Sequence, residues 1–361
     1  MTPRKNISTL EYASARVRSH RARLFDEKMY ADLLNADSPR ALHELLESTK
    51  YRAVLSKHSL QTSGARAIGD AVADYLREEY FFCQRFYTDA QAVSLEVLSG
   101  ALDIVDLKTV IRGKYAGSSY DDIIATFFGP GLCIERSALL LLAKQESLED
   151  VVRMAVTLDI PFALAVKLGA ERFAISNALS EVELSLDQAY FSWAFEKCAH
   201  QAERKTPIIS YLQDRIDVQN IMTLARFVVA QKFAGEPPAL ATYYLAGGTV
   251  FPTLKKFEKA AQALSIDEFA TFIKAPRFAH LVQSQLAEYN VSDSLASLDR
   301  TLNVDVVMHA ITVGKREIEN VGVSVAYLLA LENEVKNIRL IAHAKAFKLH
   351  ASVIRKELVG V

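Results

Sequence analysis

The 361-residue sequence is poor in cysteine and in net charge. Its three cysteines, Cys83, Cys133 and Cys198, are widely spaced and odd in number. That pattern fits reduced cytosolic thiols and argues against a disulfide framework or a CxxC metal site. The 42 Lys and Arg nearly cancel the 43 Asp and Glu, to a formal charge of −1. The chain thus lacks the broad basic field with which nucleic-acid-binding proteins neutralise phosphates, and we expect no nucleic-acid partner.

Long apolar runs and targeting signals are also missing. The most apolar run, 137–143, lies between Arg136 and Lys144 and is far shorter than the roughly 20 apolar residues of a membrane-spanning helix. The first six residues are polar and lead into a charged segment, so we expect no signal peptide. Half of all residues are hydrophobic, which is enough for a full core. The sequence therefore predicts a soluble, folded protein.

The common catalytic motifs are absent as well. The segment 313–316, Val-Gly-Lys-Arg, has the Gly-Lys of a phosphate-binding loop but lacks its earlier glycine and its Ser or Thr. GxGxxG and HExxH do not occur, and the eight histidines are scattered. We interpret His43 and His58 as surface residues. We therefore predict no catalytic residue, no metal site and no cofactor.

Helical patterns fill almost the whole chain. Strand signals are nearly absent, with no Asn-Gly hairpin and no long period-two alternation. From about Thr9 to Asn35, apolar residues recur every three to four positions opposite a charged face, which predicts an amphipathic helix with a bend near Asp26. Ser38-Pro39 then begins a further helix, with a Ser cap and Pro at the first helical position. The fold class predicted is all-α.

One acid-led motif occurs three times. Each copy has an acid, a β-branched residue, a spacer, Asp or Asn, and Leu or Ile, and reaches a basic or imidazole side chain at the tenth place. The copies are Asp103–Arg112, Asp217–Arg226 and Glu334–His343. They begin 114 and 117 residues apart. A constant spacing of this size indicates a triplicated unit.

Other segments recur with a similar period. Ser38, Ser147 and Ser265 each begin a helical pattern, 109 and 118 residues apart, and Ser185–Tyr190 is echoed by Ser297–Leu302. We predict three helical repeats, at residues 1–125, 126–240 and 241–361. Because the chain begins and ends partway through a unit, its ends are expected to complete one another and to close a ring or funnel. An open solenoid would instead have a polar cap at each end.

The polar residues of the repeats have two possible roles. Each acid stands nine residues before its basic partner, too far for a pair on one helix, so we expect it to pair with a basic side chain of a neighbouring helix. Such pairs either fix the packing of the repeats or line a shared central cavity and bind a partner. The candidates for inter-repeat anchors or interface residues are Arg16, Arg18, Arg112, Lys114, Arg226 and Lys345.

The C-terminal run Val325–Ile341 resembles the signature of the C subunit of V/A-type rotary ATPases, the relative of the eukaryotic V-ATPase d subunit. Four other segments match the same family in order: Tyr12–Arg18, Asp103–Lys114, Asp187–Phe191 and Gly247-Gly248. The resemblance covers essentially the whole chain. Its most specific part is the heptapeptide Asn333–Arg339, which helix composition alone rarely produces.

This resemblance implies an all-α funnel of three pseudo-threefold-related repeats, with no catalysis of its own. In that family the wide mouth takes the foot of the central shaft, the D and F subunits. The narrow face sits on the membrane proteolipid ring, so the protein is peripheral on the cytoplasmic side. We expect Asn337 and Arg339 to close the funnel against the N-terminal helix. The alternatives are a free-standing helical-repeat scaffold that binds a protein partner, and an all-α enzyme, for which the sequence offers no pocket of titratable groups.

Overall fold

The computed structural model describes residues 10–58, 64–199, 207–230, 240–292, 294–318 and 320–360, and within these ranges it contains helices and no strand. The all-α prediction is confirmed. The chain divides into two compact units. The first unit comprises residues 1–200 and 311–361, and the second comprises residues 201–310. These bounds differ from the predicted repeat bounds at 125 and 240, and the three-repeat arrangement stays a prediction.

The first unit contains most of the helices. In chain order they are α1 (Leu10–Arg21), α2 (Glu27–Asn35), α3 (Pro39–Glu47), α4 (Arg52–Leu55), α5 (Gly64–Gln84), α6 (Asp89–Tyr115), α7 (Tyr120–Ile124), α8 (Arg136–Ala143), α9 (Leu148–Thr157), α10 (Ala163–Ser176), α11 (Ser180–Lys197), α17 (Gly322–Ala346) and α18 (Ala351–Glu357). The second unit contains α12 (Pro207–Ala230), a short 3-10 helix (Leu240–Tyr243), α13 (Leu254–Ala260), α14 (Ile266–Phe272), α15 (Pro276–Ser292) and the start of α16 (Ala296–Arg316), which ends in the first unit.

The helix starts predicted from serine are confirmed. The hydroxyl groups of Ser38, Ser147 and Ser265 accept hydrogen bonds from backbone N–H groups in the first turns of α3, α9 and α14, at 3.1 to 3.2 Å. Each such cap stabilises a helix by about 1 kcal/mol, because it satisfies an N–H group that has no partner within the helix. The bend predicted near Asp26 is a break between two helices, and Asp26 caps the second, α2, through Met29 N at 2.8 Å.

The core of the first unit lies between α5 and α17. Helix α17 buries residues on every side, among them Tyr327, Leu328 and Leu331. A helix that is apolar all round belongs in a protein interior. It packs most extensively against α5, whose Ile68 and Leu76 are fully buried. Full burial of one such aliphatic side chain stabilises the fold by roughly 1.5–3 kcal/mol, so this pair of helices is the main support of the unit.

The core of the second unit forms around α12. Helix α12 buries Ile216, Ile221 and Leu224, and it contacts α13 and α14. Those two short helices contribute the fully buried rings of Phe257 and Phe269. Large aromatic side chains bury a large apolar area, so these two rings contribute strongly to the core of the unit.

The interpretation of His43 as a surface residue is wrong. His43 is 5% exposed because its neighbours Leu42 and Leu46 turn this face of α3 into the core. Its Nδ1 lies 3.7 Å from a carboxylate oxygen of Glu47, one turn on. His58 is partly buried, and its Nε2 lies 2.9 Å from Asp74 Oδ2. Both imidazoles therefore have an acid beside them, one turn along the same helix for His43 and 16 residues away for His58.

Candidate functional site

Three long helices each carry two buried polar side chains three residues apart. The first polar pair is Asp103 and Asp106 on α6, the second is Asp217 and Asn220 on α12, and the third is Glu334 and Asn337 on α17. All six residues are at most 3% exposed. Side chains three apart share one helix face, and polar groups so deeply buried need hydrogen-bond partners. These are the first and fourth positions of the repeated sequence motif, so their partners reveal what the motif does.

The first polar pair binds the loop 128–134, which precedes α8. Asp103 accepts hydrogen bonds from the backbone N–H groups of Gly131 at 2.8 Å, Cys133 at 2.9 Å and Ile134 at 3.2 Å. Asp106 accepts from Phe128 at 2.8 Å and from Gly129 at 2.7 Å. The two carboxylates thus satisfy five backbone donors of a buried loop that forms no regular structure.

The close approach of loop and helix depends on Gly129. A Cβ atom there would lie 2.5 Å from Asp103 Oδ1 and 2.9 Å from Asp106 Oδ2. Burial raises the pKa of Asp106 to about 7, although the N–H groups of Phe128 and Gly129 oppose the rise. Burial also raises the pKa of Asp103, against the hydrogen bonds from Cys133, Gly131 and Ile134. Desolvation of the carboxylates is therefore the main cost of this arrangement.

The second polar pair repeats this contact with the loop before α13. Asp217 accepts hydrogen bonds from the N–H groups of Thr249 and Val250, both at 2.8 Å, and from the Thr249 hydroxyl at 2.6 Å. The Asn220 amide pairs with Leu245, accepting from its N–H at 3.0 Å and donating to its carbonyl at 2.8 Å. Gly248 lies against the Asp217 carboxylate, where a Cβ would overlap Oδ1. Burial raises the pKa of Asp217.

The third polar pair binds segments from both ends of the chain. Glu334 accepts hydrogen bonds from Phe25 N, before α2, at 2.5 Å and from the Tyr51 hydroxyl at 2.7 Å, and it forms an ion pair with Lys50 Nζ at 2.6 Å. The side chains of Lys50 and Glu334 are 2% and 3% exposed. Asn337 pairs with the backbone of Val359, accepting at 3.1 Å and donating at 3.0 Å. Helix α17 thus holds the start and the end of the chain together.

The prediction that each acid pairs with a basic side chain of a neighbouring helix holds in part for one acid and is wrong for two. Glu334 pairs with a basic side chain, Lys50, which lies in the turn between α3 and α4 and not on a helix. Asp103 and Asp217 instead bind backbone N–H groups of loops. The loop glycines at 129 and 248 are a usable signal, since a carboxylate that binds backbone directly needs loop residues without a Cβ in the way.

Two of the candidate basic residues form ion pairs with acids of the same unit. Arg112 on α6 donates to both carboxylate oxygens of Glu183 on α11, at 2.5 and 2.7 Å. Arg226 on α12 donates to Asp299 on α16 at 2.9 Å. Their side chains are 56% and 58% exposed. Exposed ion pairs contribute little stability, so these contacts orient the helices more than they stabilise them.

The other four candidates lie in different surroundings. Arg18 donates to the carbonyls of Glu317 and Ile318, at 3.1 and 2.9 Å. The Arg16 guanidinium stands 5.9 Å from the ring centre of Phe82. Lys345 donates to the Leu34 carbonyl at 2.5 Å, and Lys114 is half-buried in the last turn of α6. The part of these four residues in any interface stays a prediction.

The expected contacts of Asn337 and Arg339 hold only in part. The Asn337 amide donates to the Tyr30 hydroxyl of α2 at 3.4 Å, in addition to its bonds with Val359. Arg339 donates to the carbonyls of Ala125 and Phe127, at 3.3 and 3.2 Å. The prediction that Arg339 contacts the N-terminal helix is wrong, because its side chain reaches the segment between α7 and α8.

The titratable groups near these contacts are poorly placed for nucleophilic chemistry. Burial raises the pKa of the Cys133 thiol to about 12 and that of Cys198 to about 11, which keeps both thiols protonated near neutral pH. Burial also raises the pKa of Tyr51 well above its ordinary value. Among the described residues no group of three or more His, Cys, Asp or Glu is arranged to hold a metal ion. The observed partners of the polar pairs are the backbone and side-chain groups of neighbouring segments.

The sequence is similar to known proteins along almost its whole length. A family model described as ATP synthase (C/AC39) subunit matches residues 13–357. A relative from Haloferax volcanii, named as the C subunit of an A-type ATP synthase, is 28% identical over 355 residues, which cover 98% of each chain. Relatives of the same name from Haloquadratum walsbyi and Methanocaldococcus jannaschii are 25% and 24% identical. The match with the Haloquadratum walsbyi relative covers 98% of this chain and 99% of that relative. The match with the Methanocaldococcus jannaschii relative covers 99% of this chain and 88% of that relative.

Proposed function

This chain belongs to the ATP synthase (C/AC39) subunit family, and on that basis we propose that it is a non-catalytic rotor component of a V/A-type rotary ATPase. It joins the central shaft, formed by the D and F subunits, to the membrane proteolipid ring. Torque passes through it between ATP chemistry in other subunits and ion movement through the ring. Its task is mechanical and requires a stiff body with two docking faces.

The observation that carries this proposal is the repeated contact between a long helix and a loop. The three polar pairs hold the loops ahead of α8, α13 and α2, whose first residues are 136, 254 and 27. These starts are 109 and 118 residues apart, the same spacing as that of the serine caps. The third contact, from Glu334 to Phe25, spans 309 residues and links the last long helix to the first short one.

This succession supports a ring of three repeats, which we propose closes as a funnel. Helices α6 and α12 each bind the loop with which the following repeat begins, and α17 binds the corresponding loop of the first repeat. A closed ring has no free end at which it can fray, whereas an open solenoid does. An adaptor that carries torque must resist fraying, because local unfolding under torque would prevent the rotation from being transmitted.

The proposed partners follow from the same family. The D and F subunits occupy the wide mouth, and the proteolipid ring takes the narrow face. Among the described helices, none is long and apolar enough to span a bilayer. By analogy with the family, we propose that the chain is a peripheral protein on the cytoplasmic side, held at the membrane through the complex.

Depletion and add-back test this function. Membranes of the host should be prepared without the chain, and ATP hydrolysis and ATP-driven ion uptake should be measured before and after the purified chain is added. We expect depleted membranes to lose ion uptake and to retain less of the ATP-hydrolysing sector, and the added chain to restore both. Ion uptake that is unchanged by depletion would overturn the proposal and favour the free-standing scaffold.

A charge swap separates anchoring from partner binding. Arg112→Glu alone breaks the ion pair with Glu183, and the double variant Arg112→Glu/Glu183→Arg restores it with the charges exchanged. If Arg112 anchors α6 to α11, the single variant should impair ion uptake and the double variant should recover it. If Arg112 contacts the shaft or ring, both variants should stay uncoupled. Arg153→Glu on the exposed face of α9 is the matched control.

A further inference from the structure

One surface of the first unit combines aromatic rings with arginines. It is formed by one face of α1 and by the C-terminal end of α5, and it is termed here the aromatic–arginine surface. Its members are exposed or half-buried side chains: Tyr12, Arg16, Phe81, Phe82, Arg85 and Phe86. Tyr12 and Phe81 are 52% and 44% exposed. Single exposed apolar residues are ordinary on a protein surface, whereas a contiguous group of them marks an interaction site.

The rings of the two helices are in contact with one another. The Phe86 ring lies edge-on to the rings of Tyr12 and Phe82, with ring centres 6.0 and 5.0 Å apart. The imidazole of His20 stacks on the other side of this row, 4.1 Å from the Phe82 ring centre. Tyr12 and His20 are eight residues apart on α1, so the row extends over about 12 Å, or roughly two helical turns. This is long enough to contact a short segment of another chain.

Two arginines lie against this row of rings. The guanidinium carbons of Arg16 and Arg85 are each 5.9 Å from the centre of the Phe82 ring, within the range of a cation–π contact. Arg85 Nε also points to the Phe81 carbonyl, at 3.4 Å. Neither guanidinium forms an ion pair with an acid of the described residues. Because both side chains are exposed, their charges are accessible to a partner.

The acids near this surface do not neutralise it. Helix α1 and the segment 78–86 carry four arginines, at positions 16, 18, 21 and 85, and three acids, Glu11, Glu78 and Glu79. Glu78 lies 2.8 Å from Lys57 Nζ. Glu79 is 6% exposed and lies 2.7 Å from His20 Nδ1. Of the three acids, only Glu11 is exposed and outside these contacts, so positive charge is in excess on this surface.

The composition of the surface matches a protein interface better than a lipid interface. Arginine and aromatic residues are enriched at the centres of protein interfaces and carry much of their binding free energy. A helix that lies in a bilayer surface separates its cations and its apolar residues on two faces, whereas here the cations lie against the rings. The planar guanidinium of arginine also donates two parallel hydrogen bonds to a carboxylate. The complementary partner is therefore a protein segment rich in Asp and Glu.

We infer that the aromatic–arginine surface is a docking site for an acidic segment of a protein partner. Carboxylates of that segment bind Arg16 and Arg85, and an apolar side chain packs on Phe81. Arg16, one of the six candidate basic residues, is thereby assigned to partner binding. This inference goes beyond the proposed function and does not depend on it. Depletion and add-back test the function, and contact at the surface is tested separately, so either can fail alone.

Photo-crosslinking identifies the occupant of the surface. The full chain, with p-benzoylphenylalanine in place of Phe81, is irradiated in host cells, and the crosslinked peptide is sequenced by mass spectrometry. We expect one dominant protein adduct, whose crosslinked segment contains more Asp and Glu than Lys and Arg. The matched control carries the same reactive group in place of Leu264, which is 82% exposed in the second unit. It should not crosslink to that segment.

Charge reversal tests the part of the two arginines. Arg16→Glu/Arg85→Glu should lower the crosslink yield at least about tenfold, as the loss of interface anchors does. Arg16→Lys/Arg85→Lys keeps the charge and should lower the yield by less. Replacing two acids of the crosslinked segment by arginine should restore the yield of the Glu variant, a rescue that a misfolded chain could not show. Arg153→Glu, on the exposed face of α9, should leave the yield unchanged.

Four results would overturn the inference. The first is the absence of a dominant protein adduct, and the second is an adduct with lipid, which would make the surface a membrane contact. The third is a crosslinked segment without an excess of acids. The fourth is a yield that charge reversal leaves unchanged, or that reversal of the partner's acids does not restore.

Discussion

The ion pair between Lys50 and Glu334 provides a quantitative test of the idea that the third polar pair closes the fold. Both side chains are almost fully buried, and the carboxylate also accepts from Phe25 N and Tyr51 OH. Burial lowers the pKa of Lys50, and the charge of Glu334 opposes that shift. We consider Glu334→Gln, Lys50→Met and the double variant.

The structure sets the expected magnitudes. Glu334→Gln leaves a buried ammonium group without its counter-charge, which should lower the free energy of unfolding by about 3–5 kcal/mol. Lys50→Met leaves a carboxylate that keeps two hydrogen bonds, so a smaller loss, about 1–3 kcal/mol, is expected. In the double variant the glutamine oxygen can still accept from Tyr51, and methionine packs on the rings of Phe25 and Tyr51 that now surround Lys50. The double variant should therefore lie within about 1 kcal/mol of wild type.

Urea denaturation followed by circular dichroism measures these values, and amide exchange at Phe25 reports the contact locally. The double-mutant cycle should give an interaction free energy of at least about 2 kcal/mol. The exposed pair Lys57–Glu78, at 2.8 Å, is the matched control, and its cycle should show no measurable coupling. Additive losses at Lys50 and Glu334 would refute the reasoning, because they would mean that neither group depends on the other.

Two further predictions concern the first polar pair. Gly129→Ala should lower the free energy of unfolding by about 1–3 kcal/mol, because its Cβ would overlap the carboxylates of Asp103 and Asp106. Gly69→Ala in α5 is the control, because a Cβ there would lie 3.8 Å from its nearest atom. It should raise the free energy of unfolding by about 0.5–1 kcal/mol. Urea denaturation of the two variants should show opposite signs. The pKa of Asp106 is about 7 in the folded chain, above its ordinary value near 4. Its protonated form is therefore favoured by folding, and that stability is present at low pH and is lost as pH rises from about 4 to 7, by up to about 4 kcal/mol. Asp106→Asn should flatten this part of the stability–pH curve, and an unchanged slope would contradict the assignment.

Helix positions and the repeat spacing can be predicted from the sequence because they depend on residues close along the chain. The caps at Ser38, Ser147 and Ser265 act on N–H groups three positions later. The polar positions of the three motifs stand out because a helix places residues three apart on one face. At Asp26 the sequence predicts a bend instead of a break, because the amphipathic pattern continues across the capped helix start.

The partners of those polar residues cannot be predicted, because they lie far away in sequence. Asp103 and Asp217 bind backbone groups 28 to 33 residues away, and a backbone N–H group has no sequence signature. The interpretation of His43 fails for a related reason, since its burial depends on how α3 packs and not on its own polarity.

The sequence by itself determined an all-α chain, the period of its motif and the family to which it belongs, because helix patterning and family signatures are written in local order. The tertiary structure decided what the acids do. It directed Asp103 and Asp217 to loops and Glu334 to the opposite end of the chain, 309 residues from Phe25. The physical reason is desolvation: a carboxylate buried by its helix must find donors, and only the packed fold determines which donors are within reach.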